Sequence, residues 1–244
     1  MKLYGKNPVF ERLRSNPKSI KKIFVEEGHR ELPYLRQKGH KWGIPVICVP
    51  ASKMLKMGRS WNTQGILVEV DDFAYVPFED LLDQAQEKKQ TILFLDGITD
   101  PQNLGSIMRA VACLGDFVLV LPRHDSASVT DTVLRVCAGG ENYIAVAQVA
   151  NLNQAILKAK ECDFWIAGMV VEGGENIYNT AWPQNVGLVI GSEQNGIRET
   201  IRKNLDAMVT IPMAHPRLSL NVATATAICA YEIMRQNQSR RKKE

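Results

Sequence analysis

Nowhere in the 244 residues is there an apolar run near the ~18 residues needed to cross a bilayer. The opening stretch, MKLYGKNPVFERLRS, lacks the apolar centre of a secretory signal. Cysteine is scarce. The five present (Cys48, Cys113, Cys137, Cys162, Cys229) are odd in number and widely spaced, with no CxxC pair. That pattern suggests neither a disulfide framework nor a zinc site. The four histidines (His29, His40, His124, His215) show no HExxH or paired spacing, so no metal is expected. No GxGxxG follows a predicted strand, which excludes an ordinary dinucleotide fingerprint. There is no GxxxxGKS/T for a P-loop ATPase and no GxSxG nucleophile elbow. The expectation is a cytoplasmic chain in a reducing compartment, with no membrane attachment.

What is present is ordinary in bulk and lopsided in charge. Hydrophobic content of 45% and charged content of 23% match soluble globular chains and exclude disordered or collagen-like ones. The length suits one large or two small domains. Residues 1–60 carry 14 Lys/Arg against 4 Asp/Glu, whereas residues 61–244 carry 16 against 22. A basic module on a neutral or acidic body points to a polyanionic partner, RNA or DNA. Merely solvated surface lysines are the alternative reading of the same run.

The chain reads as two α/β regions. In residues 1–72, KKIFVEEG (21–28), IPVICVP (44–50) and QGILVEV (64–70) look like strands, rich in β-branched residues and bounded by Gly or Pro. NPVFERLRS and RELPYLRQKGHKWG have helical spacing. Residues 73–90 form a linker with an acidic run and an amphipathic helix from about Pro77. From 91 to 244, TILFL, FVLVLP, FWIAGMVV, VGLVIG and AMVTIPM (207–213) are short apolar runs, most of them separated by helical segments. That alternation predicts a mostly parallel sheet covered on both faces.

Ligands in such folds bind beyond the carboxyl ends of the strands, and three loops there stand out. In LDGITDPQNLGSIMRAVACLG (95–115), Asp100 and Pro101 read as a helix cap and first-turn proline. Leu104, Ile107, Met108 and Val111 form the buried stripe. Arg109 lies about 140° from Leu104 around the helix, free either to reach a ligand or to make a surface salt bridge. In VIGSEQNGIRE (189–199), two glycines permit close backbone approach to a ligand. Glu193 there could pair with an Arg, bond a ligand or occupy a helical first turn. In TIPMAHPRLSLNVATATAICAYEIMR (210–235), a helix rich in small residues is expected to start near Ser219, a plausible cap.

In this order, the three loops resemble the three motifs of the SpoU (TrmH) branch of the SPOUT RNA methyltransferases. DPQNLGSIMRA resembles the first motif, with Asn103 and Arg109 in place. LVIGSEQNGI resembles the second, with Glu193. IPM followed by SLNVA resembles the third, with Ser219 and Asn221. YGKNPVFERL and TQGILVEV resemble the small ribosomal-protein-like substrate-binding domain of the group that methylates ribose in large-subunit ribosomal RNA. The chain departs from these patterns at Thr63, at Cys137-Ala138-Gly139-Gly140, at His215 and at Ala223.

The resemblance implies a deep trefoil knot, a homodimer with the active site near the subunit interface, and S-adenosylmethionine as methyl donor. Gly191, Ile211 and Leu220, with Ile190 and Met213, would hold that cofactor. The implied reaction is methylation of a ribose 2′-hydroxyl, with a 23S-type ribosomal RNA as substrate. A transfer-RNA ribose methylase and a non-catalytic RNA-binding or assembly factor are the competing expectations. Arg109 would stabilise the developing alkoxide or act as base, with Asn103 holding Arg109 or the ribose. Glu193 would fix a cation or its own loop, and Ser219 and Asn221 would hold the target nucleotide.

Overall fold

The computed structural model describes residues 1–58, 62–215 and 218–241. It divides into two compact units, one of Met1–Ala74 with Val129–Asn142, the other of Tyr75–Ser128 with Tyr143–Glu244. In chain order the first runs β1 (Lys2–Tyr4), α1 (Lys6–Ser15), β2 (Ile20–Glu26), α2 (Leu32–Trp42), β3 (Val46–Val49), α3 (Ala51–Gly58) and β4 (Ile66–Val70). Its four strands lie in the order β1-β4-β2-β3, parallel only between β2 and β3. Strands β2 and β4 carry the predicted apolar runs, and Ile23, Val25, Ile66, Leu67 and Val68 are buried. Strand β1 escaped the sequence reading because three residues are too few for a period to show.

Helix α2 lies tight on β3 because residue 39 is glycine. A Cβ there would come within 2.5 Å of Val46 Cγ2 and 2.7 Å of the Ile44 carbonyl oxygen. The helix stops at Gly43, whose left-handed φ of +66° suits a residue without a Cβ.

The second unit begins with α4 (Phe78–Glu87), β5 (Thr91–Asp96), α5 (Pro101–Leu114) and β6 (Phe117–Pro122). The chain then enters the first unit with α6 (Asp131–Cys137), where Glu141 is buried and accepts from Arg12 at 2.9 Å. It returns through β7 (Val146–Val149), α7 (Leu152–Glu161), β8 (Trp165–Met169) and β9 (Glu175–Asn176). It ends with β10 (Val186–Gly191), α8 (Glu199–Arg202), β11 (Ala207–Thr210) and α9 (Val222–Arg241).

The seven strands form a wholly parallel sheet, β7-β6-β5-β10-β8-β11-β9, as the alternating pattern predicted. Parallel strands need helical crossovers, and these cover the sheet on both faces. On one face, Phe94, Val120 and Val189 join the core made by α4 and α7. The alternating residues Leu93, Leu95, Leu119 and Leu188 are buried on the other, where α5 lies against β6 and α9 against α5.

Two predicted boundaries move. The strand expected over 207–213 ends at Thr210, and the helix expected from Ser219 starts at Val222. Of the freed residues, Ile211 and Met213 are half-buried and Ser219, Leu220 and Asn221 exposed, and all five border a cleft described below. Among the described residues no helix is long and apolar enough to cross a membrane.

Candidate active site

Strand β10 lies between β5 and β8, so the loops leaving these three strands converge at one end of the sheet. There the second unit opens a cleft of about 750 Å³. Its walls come from the end of β8, from the 191–197 loop, from Thr210–Met213 and from Ser219–Val222.

The 191–197 loop folds back on itself. Ser192 and Gly196 exchange backbone hydrogen bonds at 3.1 and 2.9 Å, and Gly196 takes a left-handed φ of +63°. The return strand passes so close to Gly191 that a Cβ there would come within 2.2 Å of the Gly196 carbonyl carbon. Any side chain at 191 would displace the loop that walls the cleft.

Glu193, at the tip of this loop, organises the motif residues. Its Oε1 accepts from Asn103 Nδ2 at 3.3 Å, from Asn221 Nδ2 at 3.0 Å and from the Val222 backbone N–H at 3.2 Å. Asn221 Nδ2 also donates to Asn103 Oδ1 at 2.9 Å. The carboxylate therefore sits at the first N–H of the 20-residue helix α9, where the aligned backbone dipoles favour negative charge. Asn221 caps the same helix, its Oδ1 accepting from Ala223 N at 2.9 Å and Thr224 N at 3.4 Å. The cap is thus Asn221 rather than Ser219, because only Asn221 immediately precedes the first helical residue. The predicted cap at Asp100 is in place, accepting from Gln102 N at 2.8 Å.

Of the residues singled out for the cofactor, Gly191, Ile211, Leu220 and Met213 line the cleft, as do Ser219, Asn221 and Glu193. Ile190 does not line it. It is fully buried in β10, paired between Leu95 and Met169. Asn103 lines an adjoining recess with Glu193, Asp96 and Arg198. Asn103 does not hold Arg109, since its side chain is committed to Glu193 and Asn221. Arg109 is exposed on α5 and borders neither hollow. The helix explains why: six residues on from Asn103, it lies about 9 Å further along the axis and about 120° around it.

Sequence reasoning missed a buried acid. Asp96, at the carboxyl end of β5, is 1% exposed and accepts from Arg198 N at 2.8 Å and Arg198 Nε at 2.6 Å. It ties the start of the first loop to the end of the second. Its place at a strand's carboxyl end was the available signal. No group of three or more metal-ligating side chains occurs among the described residues.

Residues 90–231 match the SpoU rRNA Methylase family, and residues 2–76 match the family described as RNA 2′-O ribose methyltransferase substrate binding. The chain belongs to the SpoU family. The 23S rRNA (guanosine-2′-O-)-methyltransferase RlmB of Bordetella pertussis is 32% identical over 239 residues, covering 97% of each chain. The enzyme of the same name from Pseudomonas putida is 32% identical over 245 residues, covering 98% of each. Among solved structures, the AdoMet-bound SpoU methyltransferase AviRb of Streptomyces viridochromogenes shares the fold at a TM-score of 0.78 and 20% identity. That match covers 98% of this chain and 91% of AviRb. The two RlmB enzymes thus align along nearly the whole of this chain, and AviRb shares its fold.

Proposed function

We propose that the protein methylates the 2′-hydroxyl of a guanosine ribose in 23S ribosomal RNA, with S-adenosylmethionine as donor. The observation that carries this reading is the joined cluster Asn103–Glu193–Asn221 at the rim of the cleft, with family matches on both units. The near-complete overlap with 23S rRNA methyltransferases favours a ribosomal over a transfer RNA substrate.

The cleft suits the cofactor. Gly191 lets a backbone wall close over a flat ligand, while Ile211, Met213 and Leu220 offer apolar contact beside polar Ser219 and Asn221. Bound there, S-adenosylmethionine supplies an already activated methyl group, carried on a sulfonium. The chain's residues then have two tasks: to place the ribose and to help its hydroxyl shed a proton. Ser219, at the cleft wall, holds the nucleotide, and Asn221, bound to Glu193, Asn103 and the start of α9, fixes that wall in place. Glu193 keeps Asn103 and Asn221 in register. The part of Arg109 is to neutralise the adjacent phosphate and the developing alkoxide.

Because Arg109 does not border its own cleft, we assign it to the site of a second copy in a homodimer. The exposed apolar side chains of α9, Ile228 (38%) and Tyr231 (54%), and the exposed Leu220 support a further chain at this surface. The order β5-β10-β8-β11 supports the threaded trefoil that the family resemblance implies. No disulfide joins the cysteines of the described residues, which fits a cytoplasmic enzyme.

The test is transfer of labelled methyl from S-adenosylmethionine to unmodified 23S and transfer RNA, followed by digestion to nucleosides. Label in 2′-O-methylguanosine from 23S RNA is expected. Label only in transfer RNA, in a base, or nowhere would contradict the assignment.

A further inference from the structure

The first unit carries rings and cations interleaved along one surface. Tyr34, Lys38, Lys41 and Trp42 follow the i, i+4, i+7, i+8 spacing that puts them along one flank of α2. Lys38 Nζ lies 5.5 Å from the centre of the Tyr34 ring, and Lys41 Nζ lies 5.3 Å from that of Trp42. Phe10 of α1 extends the row, its ring centre 4.9 Å from Tyr34 with the planes tilted by 42°, and Lys6 Nζ stands 5.3 Å from it.

The row is not spare core. Tyr34 is 36% exposed and Trp42 42%. Phe24 also has a lysine, Lys22, at 5.9 Å, but that ring is buried and presents no face. Lys6 is paired with Glu31. Lys38 and Lys41 have no carboxylate partner among the described residues. Each lies over a ring instead, and a cation over an exposed ring is weakly held.

We propose that this flank of α2 takes unpaired RNA nucleotides, with bases stacking on Tyr34 and Trp42 while Lys38 and Lys41 move from the rings onto phosphates. The chemistry selects this partner over duplex RNA. Paired bases keep their faces inside the helix, so exposed aromatic rings gain nothing there, whereas splayed-out loop bases offer both a π-face and a flanking phosphate. The proposal rests on the RNA methyltransferase reading and narrows it: the first unit recognises a single-stranded feature near the modified nucleotide.

The full-length protein is titrated with a fluorescent single-stranded RNA oligonucleotide and with the same sequence annealed as a duplex, at several salt concentrations. The double variant Tyr34→Ala/Trp42→Ala should weaken single-strand binding on the order of ten- to hundred-fold, with duplex binding little changed. Tyr34→Phe/Trp42→Phe should restore most of it, since the rings remain. Lys38→Ala/Lys41→Ala should instead flatten the salt dependence by about one to two phosphate contacts. In methyl transfer, the alanine pair should raise KM for RNA and leave kcat and S-adenosylmethionine binding as they were, which also shows that the variant is folded. Unchanged single-strand binding, equal loss on both RNAs, or wild-type binding to anionic lipid vesicles in place of RNA would overturn the proposal. Wild-type methyl transfer alongside any of these leaves the enzymatic reading standing; no methyl transfer to any RNA removes that reading as well.

Discussion

Glu193 shows how one side chain can serve three loops. Its Oε1 gathers two side-chain amides and the first backbone N–H of α9, so the carboxylate acts as a clamp and not as a free acid. That role was not legible in the sequence, because its partners lie 90 and 28 positions away and Asn103 and Asn221 are 118 apart. What was legible was local: the capped start of α5 at Asp100 and its buried stripe of Leu104, Ile107, Met108 and Val111. Gly191 adds a constraint visible only in three dimensions. Gly191→Ala forces the Gly196 backbone aside, a local cost of about 1–3 kcal/mol. S-adenosylmethionine affinity measured by calorimetry should fall about ten-fold or more; unchanged affinity would show that the tight loop does not shape the cofactor site.

At the scale of elements, α9 joins the site to the far side of its unit. Its N-terminus carries the Asn221 cap. Its second half is held by Glu232, which accepts from Arg235 and Gln236, while Gln236 donates to the Thr180 carbonyl and accepts from Trp182 N. The bond from Arg235, helped by Gln236 and opposed by burial, holds the Glu232 carboxyl below its ordinary range. A carboxylate whose folded value is depressed adds stability above the unfolded value, about 4.3, and loses it as pH falls through the folded value. Wild type and Glu232→Gln should therefore differ most in Tm near neutral pH and converge as pH falls below about 4. A gap that stays constant to pH 2 would contradict this. Burial also pushes the Cys229 thiol on the same helix up to about 12, so it stays protonated across this range.

The strand pattern of the second sheet was readable because buried parallel strands are continuous apolar runs, as in TILFL and FVLVLP. The short edge strand VAQV was not, since four residues give no period. Nor was the loss of the last residues of the 207–213 run to the cleft: IPM is apolar enough for a strand, and only its position beside Gly191 and Ser219 makes it a wall.

For the molecule as a whole, the chain's excursion through Val129–Asn142 matters most. Val133, Leu134 and Cys137 are buried in the first unit, and Glu141 accepts from Arg12 there. Removing residues 1–74 alone would strip the cover from these side chains. That truncation should aggregate or melt well below wild type in a thermal scan. A version that also replaces 129–142 with a short polar linker should fold and bind S-adenosylmethionine, yet no longer select its RNA. Selective modification of the same nucleotide by that version would place substrate choice in the second unit instead.

In the proposed reaction Arg109, exposed on α5 and bordering neither hollow of its own chain, neutralises the charge that develops as a ribose oxygen takes the methyl group. The decisive measurement is single-turnover methyl transfer by Arg109→Ala, with S-adenosylmethionine affinity followed in parallel. A rate lower by about 100-fold or more with unchanged cofactor affinity is expected. A rate near wild type would contradict it.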